Sequence, residues 1–396
     1  MNTDTMNADT LIAPPTVRAE SLDCIQANLA VLADRWYGTD AHLALGAELT
    51  FRPTFGADGL ATVEPTLDEQ LDRAQRLLGF GITARYPGVG VDTLRSLTQR
   101  HGVLYVVADA FYMPWVPYRG HRHLDHSFLV ESAAGATVVD AYLNRTPWGV
   151  AEPGWWLLPW EDLPATLNAM RLAPAPSGPP ATAPLVDIAG PDERARYLSG
   201  YAQHPDREHA LDRLTLETWL LARSRRLHAN FLAWHGDSVG PEVDEHLRQW
   251  DLLVERTYLA LRRVQSDRAE PDGVLPRLAA LLDADEHVFH HSAAEPAPRD
   301  HRAGPDDRVD GAAHRAVVTE VVAGVLGTEP ARLLDTPALT ELSAFNSFRV
   351  VEIVEALEHR LAIEFDPADL VPEHLHHLDD LCRLVAARCT TTEGDR

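Results

Sequence analysis

Glu341-Leu342-Ser343-Ala344-Phe345-Asn346-Ser347-Phe348-Arg349-Val350-Val351-Glu352 sets a serine at the head of an amphipathic run. Val350, Val351, Val354, Leu357 and Leu361 recur at helical spacing, which predicts an inward face. Glu352, Glu355 and Glu358 are expected on the outward face. A serine at a helix start is exposed, and the unpaired N–H groups and dipole there favour a phosphate. The plainer alternative is that Asn346 and Ser347 only cap a helix.

The flanks complete a small helix bundle. A helix is expected over His314 to Leu326, closed by Gly327, followed by a loop containing Pro337. After a turn around Pro367 to Leu370, a last helix carries Leu378, Leu381, Leu384 and Val385 on one face. Cys382 and Cys389 lie on that helix as structural or surface thiols.

On these residues the last 80 or so positions resemble the acyl and peptidyl carrier proteins. The resemblance implies a four-helix bundle with 4'-phosphopantetheine carried covalently on Ser347. It also implies a phosphopantetheinyl transferase and an acyl- or aminoacyl-loading enzyme as partners. Two positions depart from the family's usual pattern: Phe348 replaces Leu or Ile, and Asn346 replaces Asp.

Composition narrows what the remainder can do. The 396 residues suffice for two or three domains. A formal net charge of -24 argues against nucleic acid and against anionic membranes. All 35 basic side chains are arginine, which excludes a P-loop lysine and Schiff-base chemistry. Three cysteines are too few for a disulfide framework, and no metal site is expected. Met1 to Arg18 lacks the pattern of a signal peptide and no stretch has the length of a membrane span, so a cytoplasmic location is expected.

Along the chain, residues 1–20 are expected to be a flexible leader and 21–174 one domain. Within it a helix is predicted over Leu22 to Leu32, strand-like chain over Phe51 to Val63, and a helix over Thr66 to Leu78 with Thr66 as N-cap. Gly102 to Asp109 is predicted as a buried strand, and Ser127–Val130 and Thr137–Asp140 as a hairpin turning at Ala133-Ala134-Gly135. Ala173 to Pro184 is predicted to be a linker. Residues 185–290 are expected to be helical, with Leu214, Trp219, Leu220, Leu227, Phe231 and Trp234 in register. Arg223, Arg225, Arg226 and Trp234 are expected on a solvated face over that core stripe, the alternative being that they line a substrate or phosphopantetheine channel. A second linker covers 293–310, and the bundle 313–390.

Chemistry-bearing residues gather in the first domain. Cys24 stands near the start of an apolar helix, where the dipole is expected to lower a thiol's pKa. A buried, inert cysteine is the alternative. His121-Arg122-His123-Leu124-Asp125-His126 runs into one strand, and Asp140, fourteen residues after His126, ends the next. Across a hairpin the acid can orient the imidazole, as in Cys-His-Asp catalysis. A metal patch or solvated turn is the competing account of the histidines.

Cys24 with Asn28-Leu29, Leu43-Ala44-Leu45-Gly46 and Phe51, then Val106 to Pro114, His123, His126 and Val138-Val139-Asp140, give residues 20–170 a resemblance to the butirosin biosynthesis protein H family. It implies an α+β, papain-like cysteine-peptidase fold with a helical continuation, acting as an acyltransferase. By that resemblance Cys24 is the nucleophile, His126 the base (His123 competing) and Asp140 the orienting acid. Asp109 and Tyr112 match family positions. The family's oxyanion glutamine is missing before Cys24, leaving Gln26 as a candidate. The expected function is transfer of a carrier-bound acyl or aminoacyl group through Cys24 to a small-molecule amine or hydroxyl acceptor. A thioesterase and a non-catalytic scaffold are the alternatives.

Overall fold

The computed structural model describes residues 17–56, 58–132, 135–237, 239–290, 312–334, 338–342, 344–345, 347–366, 369–370 and 374–394. The leader, the 293–310 linker, Ala133, Ala134, Pro337, Asn346 and Pro367 lie outside or largely outside them. The chain divides into two compact units. The first comprises Met1–Thr50, Glu64–Asp187 and Arg223–Val239, the second Phe51–Val63, Ile188–Ala222 and Gly240–Arg396.

In the first unit α1 (Gln26–Tyr37) is followed by β1 (Glu48–Phe51). Two short strands of the second unit, β2 (Thr54–Phe55) and β3 (Ala61–Thr62), replace the longer extended segment expected over 51–63. The helix α2 (Leu67–Leu78) starts as predicted. Thr66 accepts from Glu69 N and the Glu69 carboxylate returns to Thr66 N at 2.7 Å, a capping box. Then come β4 (Phe80–Val89), α3 (Val91–His101), β5 (Leu104–Asp109), β6 (Asp125–Ser132), β7 (Ala136–Asp140), β8 (Asn144–Thr146), β9 (Gly149–Ala151), β10 (Gly154–Leu158), β11 (Leu167–Pro174) and β12 (Leu185–Ile188).

Six of these strands form one sheet in the order β10-β7-β6-β5-β11-β4, antiparallel throughout. The central strands are buried from Leu104 to Ala108 and from His126 to Glu131. The first reads as a continuous apolar run, while in the second the apolar run is Phe128 to Val130, flanked by buried His126, Ser127 and Glu131. β12 pairs with β1 in a separate two-stranded sheet, so the block expected to be helical from residue 185 opens instead with a strand. The helix α1 lies against β6 and β7. A Cβ on Gly46 would meet the Leu227 carbonyl oxygen at 2.3 Å, so only glycine allows so close an approach. His228 locks the same contact through Nδ1 at 2.7 Å from Gly46 O.

The second unit is helical: α4 (Pro191–Gln203), the N-terminal part of α5 (Arg207–His235), α6 (Pro241–Gln265) and α7 (Val274–His290). It continues with α8 (Ala312–Leu326), α9 (Pro330–Leu334), α10 (Ser347–Leu361) and α11 (Leu378–Gly394). Gly327 closes α8 in the left-handed conformation at φ 62°. Val350, Val351, Val354 and Leu357 are buried as the periodicity requires. Two expectations need correcting. Glu358 is buried, because Arg263 and Arg268 take its carboxylate. Arg225 is fully buried and Arg223 partly so, not spread on a solvated face, whereas Trp234 is exposed.

Candidate active site

The two strands of the β6–β7 hairpin and the turn before α1 bring Cys24, His126 and Asp140 to one end of the sheet. Leu129 pairs with Val139 and Val130 with Val138, so continuing the register puts Phe128 opposite Asp140. His126, two residues from Phe128, shares that face and meets Asp140 on the diagonal. His126 Nε2 lies 2.7 Å from Asp140 Oδ2, and both residues are buried.

The carboxylate is saturated by donors. Asn28 Nδ2 donates to Oδ1 at 3.2 Å and Tyr142 N at 3.0 Å, while Trp115 Nε1 donates to Oδ2 at 3.1 Å. An ionised acid accepts only, so His126 carries its proton on Nε2 and leaves Nδ1 as the basic nitrogen. That Nδ1 is buried and has no hydrogen-bond partner among the described residues. An orphaned buried nitrogen costs free energy unless something uses it.

Cys24 is half-buried, and its Sγ lies 3.5 Å from the carbonyl oxygen of Asp125, the residue before His126. Ser127 Oγ donates to Cys24 O at 2.6 Å, and Asn28 Nδ2 donates to Ser127 O at 2.9 Å. Asn28 Oδ1 accepts from Ala141 N at 3.1 Å. Asn28 therefore ties α1, β6 and the end of β7 together. It stood in the sequence only as one residue of a match, without a local signal for this role.

The electrostatics depart from the expected helix-start activation. Burial first, then the charges of Asp23 and Asp140, push the Cys24 thiol well above its usual value. The buried Asp23 caps α1, accepting from Ile25 N at 2.9 Å and Gln26 N at 2.8 Å, and burial raises its own carboxyl. The dipole is spent on that carboxylate, so the neighbouring sulfur gains little from it. Gln26 Oε1 accepts from Asp23 N at 3.3 Å, holding the turn.

His123 takes a different partner: its Nδ1 lies 2.7 Å from Asp109 Oδ2, exposed, with the ring stacked on Phe111. Tyr112 is exposed. Arg223 acts as a clamp, donating to the carbonyls of Ala19, Leu22 and Leu143. It ties the segment before Cys24 to the one after Asp140.

In the second unit, Ser347 is the first residue of the fifteen-residue α10. A helix of that length has a full set of unpaired N–H groups at its start, so the position suits attachment of a phosphodiester-linked group. No group of metal-ligand side chains is found among the described residues, and no helix there is long and apolar enough to cross a membrane.

Residues 316–385 match the family described as the phosphopantetheine attachment site. No curated protein matches the chain. The C-terminal segment is thus a carrier domain, which implies a 4'-phosphopantetheine attached covalently to a serine. It implies partner enzymes that load or use the carrier, and a place in carrier-bound thioester biosynthesis. The whole is a mixed helix-and-sheet protein ending in that domain.

Proposed function

We propose that the first unit is a papain-like cysteine acyltransferase, with Cys24 as nucleophile, His126 as base and Asp140 as orienting acid, and that Ser347 is the carrier serine. The observation that carries the reading is His126: Nε2 held on a saturated carboxylate, Nδ1 buried and unpartnered, and the thiol at the adjacent residue's carbonyl. Ser347 is favoured because it opens α10, and the matched stretch contains only one other serine, Ser343. When attached, phosphopantetheine supplies a terminal thiol able to hold an acyl group as a thioester.

With its pKa raised, the Cys24 thiol rests protonated at neutral pH. Attack therefore needs His126 Nδ1 to take the proton as Sγ bonds to the carbonyl carbon of an acyl thioester. The incoming C–S bond breaks, and the departing sulfur receives that proton from Nδ1. An amine acceptor then attacks the Cys24 acyl carbon, gives its proton to Nδ1, and leaves as an amide while Cys24 is reprotonated. A hydroxyl acceptor would give an ester by the same steps. Asp140 keeps the imidazole in the tautomer that makes Nδ1 the base.

The test uses the full chain, phosphopantetheinylated and acyl-loaded, incubated with an amine. Cys24-dependent amide supports transfer, and free acid in place of amide assigns hydrolysis. Product formed equally by Cys24→Ala overturns both. Loss of the phosphopantetheine mass gain in Ser347→Ala, read by intact-mass spectrometry, checks the attachment site.

A further inference from the structure

On α6, Glu255, Tyr258, Arg262 and Arg263 stand at i, i+3, i+7 and i+8, and so share one face. The carrier domain's α10 lies on that face. The Tyr258 and Phe348 rings meet edge-on at 4.5 Å between centroids. Arg262 Nη2 contacts both Glu355 oxygens, at 3.0 and 3.1 Å. Arg263 reaches Glu358 at 3.2 Å and Glu364 at 3.4 Å, and Arg268 also pairs with Glu358. His376 Nε2 lies 2.8 Å from Glu255.

Two features distinguish this from a loose tether. The Arg263 and Glu358 side chains are only 3% and 1% exposed, so each charge depends on the other for its stability. Tyr258 and Leu261 also share one apolar cluster with Val350, Val351 and Val354 of α10. Arginines on one side and glutamates on the other supply the charge complementarity of a specific contact.

We propose that α6 is a built-in docking surface for the chain's own carrier domain, occupying the face of α10 that begins at Phe348. An enzyme that acts on Ser347 must approach the first turn of α10, where Phe348 already packs on Tyr258. Docking on α6 and engagement of such an enzyme are therefore competing events, and the carrier domain is handed over only on release from α6.

The half-exposed Arg262–Glu355 pair tests this without threatening the core. Hydrogen exchange in α6 and α10 of the full chain would be compared among wild type, Arg262→Glu, Glu355→Arg and the double charge swap. Each single variant is expected to exchange about two- to fivefold faster in both helices, the scale of a half-exposed pair, with the swap restoring protection. Phosphopantetheinylation by a phosphopantetheinyl transferase with coenzyme A as donor should speed up in the single variants and slow again in the swap. Unchanged exchange in the single variants, or a swap as loose as they are, overturns the docking surface. Modification that is the same in all four proteins overturns the competition.

Discussion

Two histidine–aspartate pairs invite comparison. His126–Asp140 and His123–Asp109 are each fourteen residues apart, and each closes to 2.7 Å. The first is buried, and its carboxylate also accepts from Asn28, Trp115 and the Tyr142 N–H. The second is exposed: its carboxylate accepts from the Phe111 N–H, and its imidazole is stacked on Phe111. The second unit repeats the contrast, with Arg263–Glu358 buried and Arg262–Glu355 half exposed a residue away. Contact distance therefore says little. Orientation and strength come from what removes water and from the third and fourth partners.

The largest effect is expected from Asp140→Asn, which would let the imidazole take the wrong tautomer. Steady-state transfer should fall on the order of 10²–10⁴-fold, with stability changed far less. If transfer is retained, the buried pair has no orienting role.

Arg263→Met should come next. It strips one partner from a buried carboxylate, and a loss of about 3–5 kcal/mol in chemical unfolding is the scale for breaking such a pair. Arg268 also contacts Glu358 and would bring the loss toward the lower end.

Asp23→Asn addresses the thiol. Removing the neighbouring charge should lower the Cys24 pKa and make alkylation by iodoacetamide at neutral pH several-fold faster. In the wild type, a thiol raised on folding contributes stability that is fully present below the ordinary thiol value of about 8.5 and is lost as pH climbs above it. Urea titrations on either side of that value would read the loss. An alkylation profile like that of a free cysteine would contradict the raised value.

The smallest effect belongs to the exposed pair. Burial works to raise the Asp109 carboxyl, but His123 and the Phe111 N–H outweigh it and hold the carboxyl below its usual value. Asp109→Asn should change stability by less than about 1 kcal/mol and transfer by less than about threefold. A loss as large as that of Asp140→Asn would make His123 the working base and dissolve the contrast.

Local signals were legible where one element carries its own code. The Thr66 N-cap, the Gly327 close of α8 and the apolar run in β5 each read correctly from neighbouring residues. β4 did not, because an edge strand with alternating exposure and with Gly81, Pro87 and Gly88 carries no apolar stripe. The hairpin placing His126 near Asp140 was legible from spacing. The share of that carboxylate held by Asn28, 112 residues away in sequence, was not.

By itself the sequence determined the carrier domain. Its serine-led helix and buried face are periodic patterns within one short stretch, and helical hydrogen bonds are local. It also nominated Cys24, His126 and Asp140. Only the tertiary structure decided which histidine is buried against the acid, that the Cys24 thiol is pushed up and not down, and that Glu358 turns inward to Arg263, 95 residues away. Burial and charge depend on neighbours brought together by folding, and no local pattern encodes them.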